Sequence, residues 1–232
     1  MKSILPGLYT FTGLIAGRVY LIEDSDGLTL IDASIPPSAP KIIKQIEGMG
    51  RKPTEVKRIL ITHAHPDHHG DLPMLKKATG AQIIASAIEK PVLEGKQMIE
   101  RPDPATLKGV ARFIRMPDTF LPAVEVERTV EDGEKLEVMG GLQAVFTPGH
   151  ALGHMAYWQP EKRVLFCGDV IFHLTGLKLP PAFLTVDMEA NKRSIRKLVE
   201  LNPAIVCFGH GQPLIHDATH QLRSFAQKLI LK

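Results

Sequence analysis

The sequence predicts a mixed α+β fold in which helices cover β-sheets. Short apolar runs bounded by Gly, Pro or Asp, the pattern of strands, alternate with segments whose apolar residues recur every three or four positions, the pattern of amphipathic helices. Five strand-like segments then follow one another between residues 124 and 167. This second run of strands indicates a second sheet after the first.

The first third of the chain carries the signals of one sheet with a helix packed on it. The predicted strands are 8–12, 18–22, 28–31 and 56–61. The turn Asp24-Ser25-Asp26-Gly27 joins the second and third of them, because Asp and Gly tolerate the positive φ of tight turns. Residues 39–49 form the predicted helix, with Ile42, Ile43 and Ile46 on one face and charged residues opposite.

After residue 70 the alternation continues and then loosens. The predicted elements are a helix over 71–78, a strand over 82–85 and a short helix over 87–93. Residues 94–122 are rich in proline, with a predicted helix over 104–114. Two interpretations of 94–122 stay open: a surface insertion, or a cap whose Phe113, Met116 and Phe120 line a pocket.

The remaining elements complete a second sheet and its helices. Strands are predicted over 124–126, 134–138, 142–147, 155–159, 164–167 and 204–208. Helices are predicted over 191–201 and 217–231. The closing helix has an apolar face made of Leu222, Phe225, Leu229 and Ile230. The segment 174–186 is predicted to form another wall of the pocket.

Length and composition indicate one soluble domain over residues 1–232. The hydrophobic fraction of 44% and charged fraction of 23% are ordinary for a globular protein. The net charge of +3, without a dense Lys/Arg block, gives no indication of a nucleic-acid or anionic membrane partner, and neither is expected. No signal-peptide core or long apolar run is present, so a cytoplasmic location is expected. Cys167 and Cys207 lie in apolar runs and are predicted to be buried thiols.

The stretch from Thr62 to Gly70 concentrates four histidines and one aspartate directly after an apolar strand. Crowded imidazoles repel one another when protonated and need hydrogen-bond partners when neutral and buried. A divalent metal makes their packing favourable. The stretch therefore predicts a metal site.

Three further polar residues occur at strand ends beside glycine. They are His150 after Pro148-Gly149, Asp169 after Gly168, and His210 between Gly209 and Gly211. In each case the residue lies in a loop that follows an apolar strand, beside a glycine whose lack of a side chain leaves room for a ligand. The complete candidate set is His63, His65, Asp67, His68, His150, Asp169 and His210.

This set resembles the metallo-β-lactamase-fold hydrolase superfamily, because His63, His65, Asp67 and His68 match its HxHxDH signature. The later His150, Asp169 and His210 match the histidine, aspartate and histidine of that family. The resemblance spans nearly the whole chain and implies a four-layer αββα sandwich with the site at one edge. It also implies one metal held by His63, His65 and His150, a second held by Asp67, His68 and His210, and Asp169 as the bridge.

The donor types suit catalysis by divalent metals. Imidazole and carboxylate are good ligands for Zn²⁺, the expected ion, and also for Mn²⁺ or Fe²⁺. A hydroxide bridging two such ions is a nucleophile at neutral pH, because metal binding lowers the pKa of water from about 15.7 to about 7. Asp67 is the candidate catalytic residue, which would orient this water or relay its proton.

The expected reaction is hydrolysis of an ester, lactone or thioester in a small, moderately apolar molecule. This chain has Asp169 at a position where true β-lactamases usually have no bridging aspartate, and this difference disfavours antibiotic hydrolysis. Glyoxalase II thioesterases look similar around Gly168-Asp169, but only 22 residues follow His210, too few for their glutathione-binding domain. Lactonases of the superfamily share the ligands, yet they place a tyrosine where this chain has Phe172 and His173.

Several alternatives stay open. Related persulfide dioxygenases use a single iron held by the counterparts of His63, His150 and Asp169. Phosphodiesterases and nucleases of the superfamily share the seven ligands, and a non-catalytic metal-binding module is the third option. The expected partner is a small-molecule substrate, with a homodimer left open. Five other histidines are predicted to lie outside the ligand set: His69, His154, His173, His216 and His220.

Overall fold

A computed structural model describes residues 1–230 and contains two main sheets. The strands of the first sheet are β1 (Lys2–Leu5), β2 (Leu8–Thr10), β3 (Tyr20–Asp24), β4 (Gly27–Ile31), β5 (Val56–Leu60), β6 (Gln82–Ser86) and β7 (Arg128–Val130). They lie side by side in chain order. Strands β1 to β4 pair antiparallel, whereas β4 to β7 pair parallel and so end at the same edge of the sheet.

The second sheet comes from the other half of the chain. The strands of that half are β8 (Lys135–Leu136), β9 (Leu142–Phe146), β10 (Met155–Gln159), β11 (Val164–Gly168), β12 (Phe172–His173), β13 (Leu177–Lys178) and β14 (Ile205–Phe208). Five of them form the sheet in the order β14-β11-β10-β9-β8, and only β11 and β14 are parallel. Strands β12 and β13 form a separate hairpin.

Six α-helices accompany the sheets in the described part of the chain. They are α1 (Ala39–Glu47), α2 (Pro66–His69), α3 (Leu72–Thr79), α4 (Lys90–Leu93), α5 (Met188–Glu200) and α6 (Ala218–Ile230). Asp187 caps the start of α5, where its side chain accepts the Ala190 N–H, and Gly80 caps the end of α3 with a φ of 70°. None of the helices described in residues 1–230 is long and apolar enough to span a membrane.

The sheets pack face to face because successive side chains of a strand point to opposite faces. In β5, Leu60 faces the core between the sheets, whereas Ile59 faces the core beneath α1 and α3. In β11, Phe166 points inward and Leu165 packs under α5 and α6. Three apolar cores result. One lies between the first sheet and the helices α1 and α3, one lies between the two sheets, and one lies between the second sheet and the helices α5 and α6. This arrangement is the predicted αββα sandwich.

The helix predicted over 104–114 is wrong. The structure has two 3₁₀ turns there, at Pro104–Thr106 and Gly109–Phe113. Proline and glycine oppose a continuous helix, and no core receives an apolar stripe, since Val110 and Phe113 are 82% and 72% exposed.

The strand predicted over 124–126 is also wrong, and β7 begins at Arg128 instead. Val124 donates its N–H to the Leu93 carbonyl, and Val126 donates to the Glu94 side chain, so this segment pairs with the end of α4. Strand β1 was not predicted. The two cysteines are buried in β11 and β14 as predicted. The predicted end of the last helix at Leu231, and the Ile230 side chain, lie outside the described residues.

Candidate metal centre

The seven predicted site residues come together at one edge of the sandwich. His63, His65, Asp67 and His68 follow β5, and the other three follow β9, β11 and β14. Each of these strands carries its loop to the same edge, where the two sheets meet. The structure therefore brings together residues that are up to 147 positions apart in the chain.

The candidate ligand atoms form two groups joined by Asp169. His63, His65 and His150 make one group; Asp67, His68, Asp169 and His210 make the other; within each group these atoms lie within 4.8 Å of one another. The Oδ2 atom of Asp169 lies 3.3 Å from His150 Nε2 and 3.2 Å from His210 Nε2. Asp169 thus contacts both groups, which is the position that the resemblance implies for a bridging ligand.

Four atoms of this cluster are buried without a hydrogen-bond partner in residues 1–230. They are His63 Nε2, His68 Nε2, His150 Nε2 and Asp169 Oδ1. Unpaired buried polar atoms are costly, and one ligand that bound all four atoms together would remove this cost. Three imidazole nitrogens and a shared carboxylate are the donor set of a divalent transition metal. The residues present therefore fit a pair of such ions.

Outer hydrogen bonds turn the imidazoles so that Nε2 faces inward. His68 donates its Nδ1–H to Asp32 Oδ2 at 2.8 Å, and His63 Nδ1 lies 3.0 Å from the Thr62 hydroxyl, which in turn donates to Asp32. On the other side, His150 Nδ1 lies 3.3 Å from the Thr185 hydroxyl. Such partners fix the tautomer and ring orientation of metal-binding histidines.

Asp32 is a functional residue that the sequence did not reveal. It directly follows β4, next to the end of β5 in the parallel pair, and its φ of 63° is unusual for a residue other than glycine. A signal was present, since Asp32 follows an apolar strand as the candidate ligands do.

Burial keeps the first group of histidines neutral. It lowers the pKa of His65 to about 4, and burial together with the neighbouring imidazoles lowers the pKa values of His63 and His150 well below 6.5. A neutral imidazole is the form that binds a metal, so these side chains need lose no proton to do so.

The second group is held ionised by mutual attraction. Burial raises the pKa of Asp67, but the nearby His68 and His210 outweigh this effect and lower it to about 2. For His210 burial acts in the opposite direction and lowers the pKa, but the carboxylates of Asp169 and Asp67 outweigh it and raise the pKa to about 9. The carboxylates are therefore ionised, and a bound cation would replace the proton on His210.

The five other histidines lie outside both groups, as predicted. His154 is buried and accepts the Asp169 N–H on Nε2 at 3.1 Å, with its Nδ1 2.8 Å from the Thr147 hydroxyl. His173 donates Nδ1–H to the Gln212 carbonyl at 2.7 Å. His69 is fully buried. The last two, His216 and His220, are exposed.

The metal-free protein is expected to lose stability as the pH falls below about 6.5. Burial lowers the pKa values of His69 and His154 to about 4 and about 3, so the unfolded chain binds protons before the folded chain does. Their contribution is complete above pH 6.5 and is lost on acidification, by about 2 kcal/mol for each at pH 5. Urea unfolding at pH 8 and pH 5 measures it. His69→Leu should reduce the change in unfolding free energy between the two pH values, whereas His220→Leu should leave it unchanged. Equal urea midpoints at pH 8 and pH 5 in the unsubstituted protein would contradict the prediction.

Comparison with known proteins places the chain in a family. Residues 12–210 match the metallo-beta-lactamase superfamily profile. The probable metallo-hydrolase YflN of Bacillus subtilis is 27% identical over 90% of this chain and 85% of that protein. The hydroxyacylglutathione hydrolase of Pseudomonas aeruginosa (strain LESB58) is 36% identical, but the match covers only 49% of this chain and 33% of that enzyme.

A solved structure shows the same architecture. BJP-1, a subclass B3 metallo-beta-lactamase of Bradyrhizobium japonicum, superposes with a TM-score of 0.69 at 27% identity, covering 97% of this chain and 88% of that one. With the four-layer sandwich and the profile match over most of its length, the chain belongs to the metallo-β-lactamase superfamily, a family of hydrolytic enzymes that use divalent metals.

Proposed function

We propose that this protein is a dinuclear-metal hydrolase that cleaves an ester, lactone or thioester bond of a small molecule. The observation that carries the proposal is the convergence of two ligand groups on Asp169, with their unpartnered atoms facing inward. His63, His65 and His150 would hold the first ion, and Asp67, His68 and His210 the second. Zinc is the proposed metal, since imidazole-rich sites of this kind suit it best.

Bound at this site, two divalent ions supply a nucleophilic water at neutral pH and draw electron density from the oxygen of the bond to be cleaved. The protein's own contribution is to hold and move protons. Asp67 is ionised, its carboxylate lies 2.9 Å from His210 Nε2, and its side chain remains 27% exposed. It is therefore placed to orient the attacking water and to carry a proton toward the leaving group.

A cleft beside His150 supports a partly apolar substrate. Its volume is about 660 Å³, and it lies between residues 106–108 and residues 182–192. None of the seven candidate ligands lines the cleft. It is connected to His150 through Thr185, which lines it and whose hydroxyl lies 3.3 Å from His150 Nδ1, and through Val186, whose N–H donates to the His150 carbonyl. Leu107, Ala182 and Met188 supply apolar walls. An acyl group is the part of an ester or thioester that fits such a surface.

We therefore propose that residues 106–108 of the 94–122 segment form part of a cap over the substrate. From the 94–122 segment, the residues that line this cleft are Thr106, Leu107 and Lys108. The predicted Phe113, Met116 and Phe120 do not line it. Phe113, at the end of the second 3₁₀ turn, and Phe120, beyond it, are 72% and 59% exposed.

Similarity to named relatives supports hydrolysis more than it supports any one substrate. One relative is named a probable metallo-hydrolase, and another is named a hydroxyacylglutathione hydrolase. The name of the second gives an acylglutathione as its substrate, which is a thioester. The proposed substrate class therefore includes thioesters as well as esters and lactones. We propose a small-molecule substrate in the cytoplasm and no nucleic-acid partner.

A hydrolysis panel on protein of known metal content tests the proposal. Lactones, acyl thioesters, aryl esters and phosphodiesters are assayed after metal analysis, with oxygen consumption recorded in parallel. We expect two transition metals per chain, cleavage of at least one carboxylic ester class, loss of activity on chelation and recovery with Zn²⁺ or Mn²⁺. One iron per chain with oxygen uptake would instead establish a dioxygenase, and cleavage of phosphodiesters alone would establish the nuclease alternative.

A further inference from the structure

One buried carboxylate, that of Glu89, joins the two loops that carry the first ligand group. Its Oε2 atom accepts the Ala64 N–H at 2.7 Å, and its Oε1 atom accepts the Gly153 N–H at 2.7 Å. Ala64 lies between His63 and His65, and Gly153 belongs to the loop that begins with His150. Glu89 thus links, through backbone groups, the segments that supply all three imidazoles.

Ser86 completes the connection. Its hydroxyl donates to the Gly153 carbonyl at 2.7 Å and accepts the Glu89 N–H at 3.2 Å. A Cβ atom on Gly153 would lie 2.6 Å from Ser86 Oγ and 2.7 Å from Glu89 Oε1, so only glycine fits. Because β5 and β6 belong to one sheet and β9 and β10 to the other, these bonds join the two sheets directly beside the site.

The chemistry of Glu89 suits this task better than it suits packing alone. The side chain is only 6% exposed, and among the described residues its carboxylate is bonded by the two backbone N–H groups and paired with no Lys, Arg or His. A buried charge without a cation is costly unless several hydrogen bonds hold it. A carboxylate offers two acceptors and no donor, which is what two converging N–H groups require.

We propose that Glu89 is a positioning residue that sets the spacing of His63 and His65 from His150, and so the affinity of the first metal site. The second group has supports that do not involve Glu89, since Asp32 accepts the His68 Nδ1–H and the end of β14 carries His210. A change at Glu89 should therefore weaken one site and spare the other. This inference rests on the proposed pair of metals but not on the identity of the substrate.

The test is Glu89→Gln, measured by Zn²⁺ titration against a competing chelator. The glutamine amide presents a donor to one of the two N–H groups, so one bond is lost. We expect the dissociation constant of the first site to rise by about 10- to 100-fold, the range found for outer partners of metal ligands. The effect should persist in a His210→Ala background, which disables the second site, and vanish in a His150→Ala background, which disables the first.

Two variants separate positioning from folding. Glu127→Gln is the control, because Glu127 also accepts a backbone N–H, that of Ile83, at the far end of β6. It should change neither metal constant. Ser86→Ala removes the hydrogen bonds of the Ser86 hydroxyl with the Gly153 carbonyl and the Glu89 N–H. It should also raise the dissociation constant of the first site, by a smaller factor, and it tests the proposal even if Glu89→Gln fails to fold. Equal weakening of both sites, or no weakening in either variant, would overturn the proposal. A selective loss in a protein that cleaves no ester would leave it standing and refute only the proposed substrate class.

Discussion

Replacing Asp169 with asparagine is expected to give the largest loss of activity of any single change in this protein. We expect the turnover of the best substrate to fall by about 10³-fold, equivalent to about 4 kcal/mol of transition-state stabilisation. The metal content should fall from two ions per chain to one or fewer. Metal analysis and steady-state kinetics on the same preparation measure both effects.

The reason lies in the number of groups that converge on this carboxylate. Its oxygens lie 3.3 Å from His68 Nε2, 3.3 Å from His150 Nε2 and 3.2 Å from His210 Nε2. An amide has one oxygen acceptor, and its NH₂ group would point donors at nitrogens that must face a cation. Asparagine also removes the negative charge that offsets the bound ions.

The matched control is Asp217→Asn, an exposed aspartate whose carboxylate contacts only His220 among the ionisable groups described. This change should leave both metal content and turnover within about twofold, as expected for an exposed surface site. If Asp169→Asn retained two metals and full turnover, Asp169 would not be the bridge, and the division into two linked groups would have to be redrawn.

The ligands could be predicted because their signals are local. Four of them lie within six residues, His63 to His68, and each of the others directly follows an apolar strand beside glycine. Strand and helix periods likewise revealed the layers of the sandwich, since both depend on short-range alternation of apolar residues.

The supporting residues could not be predicted because their partners are distant in sequence. Asp32 acts on a ligand 36 positions away, Thr185 on one 35 positions away, and Glu89 on loops 25 and 64 positions away. Each resembles an ordinary strand, loop or helix residue until the fold brings it to the site. The helix predicted over 104–114 is wrong for another reason. Its apolar residues suggest a helix, but Val110 and Phe113 are exposed and pack against no core of the described residues.

The same close packing makes a prediction about a glycine beside the second ligand group. Gly209→Ala is expected to reduce kcat/KM by at least about 100-fold, as a misplacement of about 1 Å does in a catalytic site. A Cβ atom at this position would lie 1.9 Å from Asp169 Oδ1 and 2.7 Å from His68 Cε1. The backbone cannot retreat, because the Gly209 N–H donates to the Gly168 carbonyl and the Gly209 carbonyl accepts the Arg18 N–H, both at 2.8 Å.

Gly48→Ala is the matched control, since Gly48 at the end of α1 also has a φ that alanine adopts freely. An added methyl would approach only the Lys44 and Gln45 carbonyls, at 3.3 and 3.5 Å. Kinetics and metal titration of the two variants should differ sharply, with both properties impaired only in Gly209→Ala. Full metal occupancy and normal turnover in that variant would mean that Asp169 and His68 can move aside without cost. The site would then be more plastic than its packing indicates, and the affinity of the ions would have to come from the ligands alone and not from the rigid edge of the two sheets.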